Sequence, residues 1–102
     1  MPDLIIIGAG PAGMTAGIYA ARKQLDTLVI TKDVGGQTTL SSAVENYLGY
    51  TYISGADLVQ KFEEHLEHFN LKIEYDNVSS LVKTDTEFEA KTDGGKTYRA
   101  KA

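Results

Sequence analysis

The sequence predicts an α/β fold in three layers: a parallel sheet, helices packed on it, and a short β-meander. Three observations carry this. A strand-like run, a helical pattern and a second strand-like run follow one another within about 30 residues, the size of one βαβ unit. An amphipathic helix and a third strand-like run come next. Three short alternating segments then close the 102-residue chain.

Each element has a local cause. Leu4-Ile5-Ile6-Ile7 is a continuous apolar run rich in β-branched residues, as suits a strand covered on both faces. The spacing predicts a helix from Pro11 to Lys23, because Pro11 falls in the first turn, where its missing N–H costs nothing. Met14, Ile18 and Ala21 share one face of it, with Gly17 beside them. Thr27 to Ile30 reads as a second buried strand, reached by a right-handed crossover, so a doubly wound sheet is expected. Thr31 to Gly55 has little periodicity and reads as a long loop; loops of that length inside a domain are usually functional or disordered, and its tyrosines and Leu48 speak for order. Ser54 to Phe69 is an amphipathic helix with Leu58, Val59, Phe62, Leu66 and Phe69 on its apolar face. Ser54 and Asp57 resemble a capping box, and Asn70 is a stop. Leu71 to Tyr75 is a third strand. Val78–Lys83, Phe88–Thr92 and Thr97–Lys101 alternate, and Asp93-Gly94-Gly95-Lys96 is a hairpin turn. A meander stopping at Lys101-Ala102 leaves an unpaired edge, so a truncated fold is expected.

Composition narrows the functions. A formal charge of −4, with no basic run, argues against a nucleic-acid or anionic-membrane partner. No apolar stretch is long enough to span a bilayer, and Met1-Pro2-Asp3 lacks the basic start of a secretory signal, so a cytoplasmic location is expected. With no cysteine, these residues offer no thiol nucleophile, disulfide pair or thiolate metal site.

The chemistry lies in Gly8-Ala9-Gly10-Pro11-Ala12-Gly13, a G-x-G-x-x-G between a predicted strand and a predicted helix. Gly8 permits a tight turn, Gly10 lets a pyrophosphate approach the backbone, and Gly13 lets helix and strand lie close. The free N–H groups and the positive end of the helix dipole then face the anion. The pattern reads as a Rossmann-like dinucleotide site, the alternative being a glycine-rich turn with no ligand. The acid that usually ends the second strand and binds the ribose is absent: Thr31 stands there, able to bond a ribose only weakly, and Asp33 comes two residues late, on the loop.

The stretches IIIGAGPAGMTAGIYAARK, VITKDVGGQTTLSSAVENYLG and ISGADLVQKFEEHLEHFNLKI lie in the order and spacing of the thioredoxin reductase family. That family also includes the flavoprotein subunit of alkyl hydroperoxide reductase and some ferredoxin–NADP reductases. The resemblance covers Leu4 to Ala102 and implies the N-terminal part of an FAD-binding domain. It implies that Gly8, Ala9, Gly10, Pro11 and Ala12 cradle the FAD pyrophosphate. It further implies that Gly35, Gly36 and Gln37 wrap the cofactor, that Thr38 to Ser42 continue towards the flavin, that Asn46 bonds the flavin side, and that Val78 touches the adenine through its backbone. Taken alone, Gly35-Gly36-Gln37 reads as an ordinary turn and Asn46 as an Asx-turn. Relatives continue into a strand carrying Ala-Thr-Gly, an inserted NAD(P)H domain (bearing a Cys-x-x-Cys in the thioredoxin reductases) and a returning FAD segment. These are expected to be absent here. The parent function implied is transfer of electrons from NAD(P)H to FAD to a disulfide, in a homodimer with a redox protein partner. The 102 residues by themselves are not expected to turn over, because hydride transfer needs both cofactors in contact.

Three other readings stay open: a ferredoxin or flavodoxin reductase of the same build, a non-catalytic module for FAD or ADP-like ligands, and a piece that folds but binds nothing. His65 and His68 have metal-compatible spacing but no evident third ligand, and read as a solvated face. Tyr47, Tyr50 and Tyr52 either stack near a flavin or pack beneath the loop.

Overall fold

The computed structural model describes residues 1–102. Its elements are β1 (Leu4–Ala9), α1 (Pro11–Arg22), β2 (Thr27–Val34), a 3₁₀ turn (Gly36–Leu40), α2 (Gly55–Glu67), β3 (Lys72–Tyr75), β4 (Val78–Lys83), β5 (Phe88–Thr92) and β6 (Thr97–Ala100). Strands β1, β2 and β3 form a parallel sheet in that order; β4, β5 and β6 form an antiparallel meander. Leu4 pairs with Thr27 and Ile7 with Ile30 across β1 and β2, and Leu28 to Thr31 pair with Lys72 to Tyr75 across β2 and β3.

The apolar runs read as strands buried on both sides because alternate residues serve different cores. Ile6 and Val29 pack with Met14 and Leu66 on the helical side. Leu28 and Ile30 pack with Ala90 on the meander side, joined by Ile5, Val78 and Tyr98. Ile30, Val29 and Leu66 are the largest fully buried side chains, each worth roughly 1.5–3 kcal/mol relative to exposure. The three layers are therefore helices, parallel sheet and meander.

Within these residues the strands step in one direction, β1 to β2 to β3, so crossovers of one hand leave both helices on one face. The meander covers the other. On α1 the buried positions are Met14, Gly17 and Ala20, with Ile18 and Ala21 half-buried. The last meander strand, β6, pairs only with β5 and leaves the expected unpaired edge, but the residues beyond it turn back. Ala102 returns to β1: Ile5 N–H donates to the Ala102 carbonyl at 3.0 Å and Ala102 N–H to the Asp3 carbonyl at 3.1 Å. Lys101 Nζ lies 3.3 Å from Asp3 Oδ1.

Helix α2 begins as predicted. Ser54 is its N-cap, and its hydroxyl accepts from the Asp57 N–H at 3.1 Å. Ser54→Ala is expected to cost about 1 kcal/mol, read as a lower urea midpoint at unchanged slope. Asn70, at φ 52°, takes the left-handed conformation that ends the helical run. The segment expected as one long loop is more structured. Strand β2 runs on to Val34, the 3₁₀ turn follows, and Val44 and Ile53 pair as an antiparallel bridge.

Candidate nucleotide-binding site

The site forms where β1 ends. Gly8, at φ 98°, makes the turn in a conformation that L side chains rarely adopt. Gly10 is the N-cap of α1 and Pro11 its first residue; no side chain caps this helix and no acid lies in its first turn. The contrast with α2, capped by Ser54 and carrying Asp57, is physical: the positive end of α1 has no side chain of this chain to offset it. A Cβ placed on Gly8 or Gly10 would meet nothing within 4 Å, so the turn opens onto space. A Cβ on Gly13 would lie 1.9 Å from the Gly8 carbonyl oxygen, so that glycine is required for packing.

A cavity of about 270 Å³ lies against this turn. Gly8, Ala9, Gly10 and Gly36 form one side; Thr31, Lys32 and Asp33 form the strand end; Asp76, Asn77 and Val78 form the far wall. Gly36 closes in on Gly10, since its Cβ would lie 3.5 Å from the Gly10 Cα. Ala9 offers no free amide: its N–H donates to the Thr31 hydroxyl at 3.2 Å, and its carbonyl accepts from Gly35 at 2.8 Å.

Of the residues expected to act, Gly8, Ala9, Gly10, Thr31, Gly36 and Val78 meet at this cavity. Pro11, Ala12 and Gly13 continue along α1, Gly35 is buried behind the turn, and Gln37 and Thr38 lie on the 3₁₀ turn. Asn46 lines a separate concavity with Glu45 and the segment 47–51. Tyr47 packs on Phe62 of α2, at 5.8 Å between ring centroids, and on Tyr50 at 6.3 Å. The Tyr52 hydroxyl donates to the Ser42 carbonyl. His65 and His68 are exposed and lie against Phe69.

The end of β2 differs from expectation. Thr31 is buried, and its hydroxyl proton goes to the Asp33 carbonyl while its oxygen accepts from Ala9. It joins two strand ends instead of reaching outwards. Asp33 is not on a loop. Between the pairs Ile7–Ile30 and Ala9–Val34 the register shifts, and this bulge carries Lys32 and Asp33 into the cavity wall. The Asp33 side chain is exposed and enters no ion pair. Lys32, Asp33, Asp76 and Asn77 are the polar lining residues not expected from the sequence as part of the site; an acid near the end of a second strand was the available signal for Asp33.

A parallel sheet, a glycine turn and an uncapped helix over a cavity define a Rossmann-like nucleotide-binding fold. The chain matches, over residues 2–102, the sequence family described as pyridine nucleotide-disulphide oxidoreductase, and it belongs to that family. It is 46% identical over 101 residues to the thioredoxin reductase of Listeria monocytogenes, covering 98% of this chain and 31% of that protein. The crystal structure of Lactococcus lactis thioredoxin reductase superposes with a TM-score of 0.95 at 34% identity, over 100% of this chain and 34% of that one. A ferredoxin–flavin thioredoxin reductase from Clostridium acetobutylicum gives 0.87 at 33% identity, over 98% and 35%. The chain thus spans about a third of the length of these relatives. No helix is long and apolar enough to cross a membrane.

Proposed function

We propose that this chain is the N-terminal part of an FAD-binding domain and that its cavity takes the ADP half of FAD. The diphosphate lies at the start of α1, where the Gly10 approach is open and no side chain competes for the helix end. Val78 lies against the adenine. Asp33 accepts hydrogen bonds from the ribose hydroxyls in place of Thr31, whose hydroxyl is already engaged. Gln37, Thr38 and Asn46 follow the cofactor towards the flavin. Bound FAD supplies the electron carrier; these residues bind and orient it and carry out no chemistry themselves. The parent activity we infer passes electrons from NAD(P)H through FAD to a disulfide, with a redox protein such as thioredoxin as partner and a homodimer as the working form. The observation that carries the reading is the uncapped helix end facing an open cavity beside an unpaired carboxylate.

A second reading keeps the cavity and changes the electron donor. It rests on the likeness to the ferredoxin–flavin thioredoxin reductase, in which case reduced ferredoxin replaces NAD(P)H.

Titration of the ¹⁵N-labelled chain with ADP tests the site. Shifts are expected at the Gly10, Asp33 and Val78 amides, and a folded chain that shows none removes the reading. Asp33→Ala is expected to weaken ADP about tenfold and to abolish any preference for ADP over 2′-deoxy-ADP. A preference that survives the substitution would take the ribose away from Asp33.

A further inference from the structure

Asp76 occupies the corner where the parallel sheet passes into the meander, between β3 and β4. Its N–H donates to the Thr31 carbonyl at 2.9 Å, which ties the corner to the end of β2. Its carboxylate turns the other way. Oδ1 accepts from the Asn77 N–H at 2.8 Å and from the Gly94 N–H at 3.3 Å, on the turn between β5 and β6. Asn77 adds two bonds to the same turn: its carbonyl accepts from the Asp93 N–H at 2.9 Å, and its Nδ2 donates to Asp93 Oδ2 at 2.9 Å. The Thr92 hydroxyl and the Asn77 and Gly94 N–H groups together hold the Asp76 carboxyl below the ordinary aspartate value.

Gly94 shows that the fit is close. It lies outside the left-handed region, unlike Gly95 at φ 81°, so its backbone does not call for glycine. The space does: a Cβ would lie 2.5 Å from Asp76 Oδ2 and 3.3 Å from Cγ. The same clasp answers an electrostatic problem. Asp76 is one of the residues lining the cavity, and an unbonded carboxylate at this corner would repel a diphosphate. Amide donors around it offset that charge.

We propose that Asp76 is a positioning residue: by clasping the β5–β6 turn it sets the Asn77–Val78 wall of the nucleotide cavity, so that the meander braces the site. This rests on the reading of the cavity as a nucleotide site. Gly94→Ala is the discriminating variant, because Gly94 does not line the cavity and the atoms nearest its added Cβ are those of the Asp76 carboxylate. It is expected to weaken ADP about tenfold and to move the Asn77 and Val78 amide resonances. Asp76→Ala is expected to do the same. Asp76→Asn keeps an acceptor oxygen for both N–H groups and is expected to restore most of the affinity. If Asp76→Ala does not fold, Gly94→Ala and Asp76→Asn decide. ADP affinity unchanged in Gly94→Ala overturns the proposal, even if the urea midpoint falls, because the clasp then serves stability alone. Loss of affinity in Asp76→Asn equal to that in Gly94→Ala also overturns it. No ADP binding by the unsubstituted chain would instead bring down the nucleotide reading, and this proposal with it.

Discussion

Gly13→Ala is expected to destabilise the chain by more than any of the other single substitutions. One methyl group placed on the first turn of α1 would lie 1.9 Å from the Gly8 carbonyl oxygen and 2.9 Å from its carbon. Both are backbone atoms of β1, so no rotamer change relieves the clash. Either the helix lifts from the sheet or the glycine turn opens. Lifting separates Met14 from Ile6, Ala9 and Val29, the core on the helical side of the sheet. Overpacking of this kind costs about 3 kcal/mol or more when backbone must move. A domain of this size has about 5 kcal/mol in total, so one methyl is expected to remove more than half of its stability and to lower the melting midpoint sharply. Thermal or urea denaturation followed by circular dichroism measures it. A melting midpoint equal to that of the unsubstituted chain would show that α1 does not lie as close to β1 as described.

Three residues earlier, the same kind of substitution has the opposite effect. Gly10→Val is expected to fold normally and to lose ADP and FAD binding. A Cβ at Gly10 meets nothing within 4 Å, and its φ of −74° and ψ of −175° are extended backbone that valine adopts readily. Valine is a poorer N-cap than glycine, a change of about 1 kcal/mol at most. Its branched side chain fills the space through which a diphosphate must reach the helix end. Affinity for ADP is expected to drop about hundredfold or more, while helical content and melting midpoint stay nearly constant. Unaltered ADP affinity in this variant would remove the diphosphate from the α1 terminus. The pair of variants also separates the two roles inside one motif: one glycine serves the ligand, the other the packing.

Much of this was legible because its causes are local. Leu4–Ile7 declares a strand through β-branched residues, and Pro11 declares a helix start through its missing N–H. Val78–Lys83, Phe88–Thr92 and Thr97–Lys101 lie within one residue of β4, β5 and β6. What the sequence left hidden had non-local causes. Thr31 looks like a residue free to bond a ribose until its hydroxyl is found joined to Ala9, 22 positions away. Asp33 looks like part of a loop because a register shift against β1 cannot be seen from β2 alone. Which face the second helix covers is set by the direction in which the third strand is added, and one βαβ unit does not reveal it.

The amino-acid order alone therefore determined the element types and the glycine turn with its helix. Steric and periodic demands of that kind are met within a few neighbouring residues. Only the tertiary structure decided which groups face the cavity. It buried Thr31, brought Asp33 into the wall and set the Asp76 carboxylate against Gly94, 18 residues on. Those outcomes depend on which distant backbone amides and carbonyls become partners, and such partners exist only once the sheets have formed and packed.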